Sequence, residues 1–190
     1  MTAKGSDGIP RLSQEELEPG LKESLKPTVE RLGYLGEFFQ VAAHVPGAIP
    51  AFMQYTSAVK TPLADTHNEV LALTVCQMLE ADYERIQHER LSRRLGFTLD
   101  WIAAAASRPG AHVSNLREEE RALQALAQAV VTTNGLRCAN ELDVVVRLLG
   151  PQRAVASLLQ ISRFVGIALL CNALALEVPV PSVFEEATSQ

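Results

Sequence analysis

The chain has 190 residues, of which 47% are hydrophobic and only 5% aromatic, and its formal net charge is −5. That length favours one domain with a sizeable core, and an apolar set dominated by alanine and leucine favours helices over sheets. The acidic balance argues against a polyanion-binding role, and Glu84 and Glu89 interrupt the arginines Arg85, Arg90, Arg93 and Arg94, so nucleic acid is not an expected partner.

Residues 1–12 are small, polar and Gly/Pro-containing, and are expected to form a flexible arm. A single helical domain is expected over 13–182, with 183–190 as a C-terminal tail. Residues 36–44 read as a short helix closed by Val45-Pro46-Gly47, and 49–59 as a second, ended before Pro62. Thr66-His67-Asn68-Glu69 fits a capping box with Thr66 as N-cap and Glu69 at N3, opening a helix to about residue 80. Asp82 is placed to cap the next helix, 83–95, and Gly96 suits its C′ position. Thr98 is placed to cap 99–106, which Pro109-Gly110 terminates. Residues 115–118 form a second capping box, opening a helix to about 134 with Gly135 as its stop. Residues 140–149 lead to Gly150, and Pro151 suits N1 of a long final helix reaching about 177. There is no strand alternation, fixed-period repeat or Gly-rich phosphate loop.

The apolar stretch 164–176, interrupted by Asn172, is shorter than the roughly 20 residues of a membrane span. It reads as a core or interface helix, so no membrane partner is expected. Residues 1–10 lack the apolar run of a secretory signal. Cys76, Cys138 and Cys171 are odd in number and form no C-x-x-C pair, as reduced core thiols of a cytoplasmic protein would.

The segment 69–88 carries the chemistry. Glu84 and His88 lie four residues apart, hence on one helix face, in line with Leu91 and Leu95 and away from Arg85, Glu89 and Arg93. A carboxylate beside an imidazole on an apolar stripe shifts both pKa values and suits acid/base work near neutrality. The competing reading is a surface ion pair, and the capping box alone explains Glu69. Two carboxylates and one histidine without a Glu-x-x-His step are a weak metal signature, so neither a metal nor another cofactor is expected. Arg85, Arg90, Arg93 and Arg94 read as a solvated face or as an anchor for a substrate carboxylate. His44, His67 and His112 stand near turns and read as surface or cap residues, and Trp101 as core or interface.

In alkylhydroperoxidase D-like proteins a glutamate is followed at +12 and +15 by the cysteines of a C-x-x-C pair, and at +19 by a histidine. Counted from Glu69, those positions hold Ala81, Glu84 and His88. The text from Asp82 to Glu89, then Leu91 and Gly96-Phe97-Thr98, resembles the cysteine-less branch that includes the carboxymuconolactone decarboxylases. His44-Val45-Pro46-Gly47 with Phe52 resembles the family's entry. The resemblance implies an all-α bundle built on a helix hairpin over 66–95, assembled as a homo-oligomer with the site near a subunit boundary. It implies proton-transfer chemistry of decarboxylase or lyase type on a small organic acid or lactone, with Glu84 and His88 exchanging the proton and Glu69 orienting the histidine. Tyr83 is a candidate substrate contact. The alternative is a non-catalytic or regulatory member, and thiol peroxidase activity is not expected without the motif cysteines. Counted from Ala81, Glu69 lies about 18 Å and His88 roughly 10 Å along their helix axes. Direct contact between them is expected only with a wider loop, a bend or a neighbouring subunit.

Overall fold

The computed structural model describes residues 8–108 and 115–188. Among these, nine helices form an all-α fold: α1 (Pro19–Leu32), α2 (Glu37–Ala42), α3 (Ala48–Lys60), α4 (Asp65–Met78), α5 (Asp82–Arg94), α6 (Leu99–Ala105), α7 (Glu118–Thr133), α8 (Ala139–Ala173) and α9 (Val183–Thr188). Pro109, Gly110 and His112 lie outside the described residues, as do residues 1–7 of the expected arm.

Helix α4 is the centre of the molecule. Every residue from His67 to Cys76 is buried, as for a helix covered on all sides. Helices α5, α6, α7 and α8 pack around it. Val70, Leu71 and Leu73 meet Ile102, Leu123, Leu126, Ile161 and Phe164 in the main core. Helix α8 breaks at Gly150, whose φ of 81° and ψ of 167° are non-helical, and restarts at Pro151. Its apolar second half passes for a membrane span by length and composition, yet half of that stretch is buried inside the fold, as in a core helix. Helices α1–α3 share a separate cluster of Leu17, Leu21, Leu25, Ala43 and Ile49. Sequence reading offered no helix over α1, whose exposed charged face and internal Pro27 dilute its apolar pattern.

Several local expectations change. Helix α4 starts at Asp65 behind Ala64 with no side-chain cap, so Glu69 is an interior residue and not a capping group. Asp82 is the first residue of α5, where it accepts from Arg85 at 2.7 Å, and Ala81 is the N-cap. The second capping motif lies two residues later than its sequence position: Glu120 accepts from the Arg117 backbone N–H at 2.8 Å. Thr98 does cap α6, accepting from the Trp101 N–H at 3.1 Å. Trp101 belongs to the core periphery, with its indole N–H on Glu120 at 3.1 Å.

His67 is buried rather than at the surface, facing Glu119 at 3.3 Å. His44 is exposed and donates to the Pro10 carbonyl at 2.8 Å. At the ends, Arg11 is buried and pairs with Glu37 at 2.6 Å. The expected tail begins with α9, and Ser182 just before it donates to Glu89 at 2.6 Å.

Candidate active site

Helices α4 and α5 form a hairpin whose turn sets the site. The Ala81 N–H donates to the Cys76 carbonyl at 2.9 Å and the Glu80 N–H to Gln77 at 3.4 Å, with Glu80 left-handed at φ 53°. This is a Schellman closure, with a glutamate where glycine is usual. Because α4 ends at Met78 and α5 begins at Asp82, residues 79–81 add no axial rise. Glu69 then lies roughly 13 Å from the turn, His88 roughly 9 Å and Ser92 roughly 15 Å. Glu69 sits between the levels of His88 and Ser92, and it bonds both. The His88 Nδ1–H donates to its Oε2 at 2.8 Å and the Ser92 hydroxyl approaches the same oxygen at 3.4 Å. The contact doubted on sequence arithmetic is made within one chain.

Glu84 faces the other side of the ring, its Oε2 3.6 Å from Nε2, an ion-pair distance beyond hydrogen bonding. Glu69 is buried, while the Glu84 and His88 side chains keep 14% and 15% exposure, enough to meet a ligand. Burial pulls the His88 pKa down, but the Glu69 and Glu84 carboxylates outweigh it and hold it at about 9. The imidazolium is therefore the neutral-pH form, and both ring nitrogens carry protons. The ring also packs edge-on against Phe164, 5.1 Å between centroids. Among the described residues no three His, Cys, Asp or Glu side chains are grouped as metal ligands.

These residues form part of the wall of a cavity of about 480 Å³, the size of a small-molecule site. Helices α4, α5 and α8 supply one wall; α1, α2 and α3 supply the other, with Arg31, Phe38, Phe39, Phe52 and Thr56. Tyr83 also lines the cavity. Its hydroxyl accepts from the Phe38 N–H at 3.1 Å, tying α5 to α2, and burial pushes its pKa up. Gly36 leaves room for that hydroxyl, which a Cβ there would meet at 2.9 Å.

The Bmp8 debrominase in complex with 2,3,4-tribromopyrrole is similar to this chain in structure, with a TM-score of 0.72 and 16% identity over 86% of this chain and 90% of that one. So is an uncharacterized peroxidase-related protein from Silicibacter sp. TM1040, with a TM-score of 0.76 and 15% identity over 93% and 94%. A third, from Ralstonia eutropha JMP134, is described as an alkylhydroperoxidase AhpD core; its TM-score is 0.74, with 16% identity over 88% and 90%. The fold is that of the alkylhydroperoxidase D core. The sequence itself matches no protein-family model and no curated protein.

Within this AhpD-like fold two of the three cysteines are withdrawn from thiolate chemistry. Cys76 and Cys171 are buried, which raises both thiol pKa values. The α5 arginines do not line the cavity. Arg85 is held by Asp82 and Glu89, Arg90 by Glu186, Arg93 by the Phe97 carbonyl and Arg94 by the Arg31 carbonyl. Glu89, assigned by sequence to the charged side, is fully buried. Besides His88, the cavity cations are Arg31, Lys60 and Arg163. Sequence reasoning missed them because they sit on α1, α3 and α8, whose meeting at α5 no local spacing encodes.

Proposed function

We propose that this chain is an acid/base enzyme of carboxymuconolactone decarboxylase-like type, acting on a small organic acid or lactone. The observation that carries the reading is His88, held as an imidazolium between Glu69 and Glu84 at the wall of an apolar cavity. In such a reaction the bond to the departing carbon dioxide breaks and its electrons delocalise into an adjacent carbonyl as an enolate. The His88 Nε2–H protonates the carbanion carbon, and Glu84, beside Nε2, returns a proton drawn from water. One solvent proton is consumed per carbon dioxide released. Glu69 stays on Nδ1, fixing the ring orientation and favouring its charged form. Tyr83 contributes ring surface to the substrate cavity.

A cavity that gathers all three side chains favours catalysis over a purely structural or regulatory role, for which a hairpin with Glu84 and His88 in bulk water would be the expected arrangement. Ala81 and Glu84 stand at the redox positions and no cysteine is among the residues that line the cavity, which leaves peroxidase chemistry there without support. The test is a screen of lactone carboxylates and β-keto acids for carbon dioxide release. On an identified substrate, His88→Ala and Glu84→Ala each lower kcat by about 10² or more with the fold intact. Unchanged turnover in either variant removes this assignment.

A further inference from the structure

The cavity has a second polar end whose groups the proton-transfer reading leaves unused. Arg163 projects from α8, and its Nε–H donates to Gln160 Oε1 at 2.8 Å. Gln160 in turn donates to Asn68 Oδ1 at 2.6 Å, and Asn68 donates to the Ala64 carbonyl at 3.1 Å in the first turn of α4. Gln160 and Asn68 are both 1% exposed, so this chain of amides is a fixed support. The guanidinium carbon lies 3.9 Å from the Phe164 ring centroid, which fixes the plane of the group. With Nε and one face occupied, the terminal amino groups make no hydrogen bond or ion pair to any described residue. Burial lowers the Arg163 pKa, with Glu84 opposing, so the cation is partly stripped of water without a paired carboxylate.

On α3, which packs directly against α8, Thr56 also lines the cavity, and its hydroxyl oxygen is buried without a hydrogen-bond partner among the described residues. An orphaned buried hydroxyl costs free energy unless a ligand satisfies it. Phe52 adds a second aromatic ring to this lining, 6.0 Å from the guanidinium carbon.

We infer that Arg163 and Thr56 form a carboxylate subsite, so that the cavity takes a small carboxylate with an apolar body lying against Phe52 and Phe164. The inference deepens the acid/base reading and rests on it for the reaction, but not for binding. His88 and Arg163 lie 5.1 and 3.9 Å from the same Phe164 centroid, hence at most about 9 Å apart. A carboxylate forked on Arg163 therefore places carbons a few bonds away beside His88. Arg163 is a binding residue for the intact carboxylate, and the amides behind it are positioning residues.

The test is calorimetric titration of the full chain with benzoate, its neutral isostere benzamide, and acetate. Benzoate is expected to bind more tightly than both. Arg163→Met is expected to weaken benzoate about tenfold or more while leaving benzamide unchanged, with a smaller loss for Thr56→Val. Arg163→Lys, which keeps the charge without the fork, recovers part of the affinity. His88→Gln separates the two proposals, because it should abolish turnover while retaining benzoate binding. The subsite is overturned if wild-type protein shows no saturable benzoate binding, if benzamide or acetate binds as tightly, or if Arg163→Met leaves benzoate unaffected. Should Arg163→Met fail to fold, the wild-type ligand comparison and Arg163→Lys still decide it.

Discussion

At the scale of single residues, the charge on His88 is set by a contest between burial, which lowers its pKa, and two carboxylates, which raise it to about 9 from an ordinary 6.5. A folded-state pKa above the unfolded value stabilises the native state fully below about pH 6.5, and that contribution fades as pH rises through about 9. Glu69 does most of the raising. Glu69→Gln keeps the shape but removes the charge, so the alkaline limb of kcat/KM should move down from about pH 9. The loss of thermal stability on raising the pH should begin earlier too. A limb unmoved in Glu69→Gln would show that Glu69 does not tune the histidine. Sequence spacing put Glu84 and His88 on one face, which the helix guarantees. It could not show that Glu69 bonds Nδ1, because that depends on where α4 stops. Nor could it find Arg163, whose place beside His88 is created by packing between distant segments.

At the scale of elements, the α4–α5 turn does the positioning. Glu80 takes a left-handed conformation that a side chain disfavours by roughly 1 kcal/mol, while its own carboxylate makes only an exposed pair with Arg108. Glu80→Gly is therefore expected to leave turnover intact and to stabilise the fold by up to about 1 kcal/mol, read by denaturant unfolding. A loss of stability would mean that the Arg108 pair matters more than the backbone conformation. Most helix boundaries near Pro and Gly were readable within a few residues, since those residues impose their conformations locally. Helix α4 was misread at its start, where Thr66 and Glu69 have the right spacing for a capping box but the helix starts two residues earlier, with Ala64 in the N-cap position.

For the whole molecule, the long helix α8 leaves an apolar stripe uncovered. Val155, Leu159, Leu169 and Leu170 remain 55%, 41%, 56% and 43% exposed, with Tyr55 of α3 nearby through its hydroxyl on the Leu159 carbonyl at 3.3 Å. Such a stripe suits self-association. Sedimentation at micromolar concentration is expected to give a multiple of 20.6 kDa, and Leu159→Glu to shift the population toward the single chain. A concentration-independent monomer would leave the stripe as exposed surface and the site complete within one chain.

The two walls of the cavity rest largely on different hydrophobic clusters and are joined by a third, in which Tyr83 and Ile167 meet Phe38 and Phe52. Glu69, Glu84 and His88 stand on α4 and α5 against the main core, whereas Phe39 and Met53 on the opposite wall pack with the α1–α3 cluster. Substitutions at Phe39 and Met53 are therefore expected to reshape the admitted ligand without disturbing the spacing of Glu69, His88 and Glu84. On the acid/base reading, selectivity and chemistry are then free to drift at separate rates along different parts of the same chain.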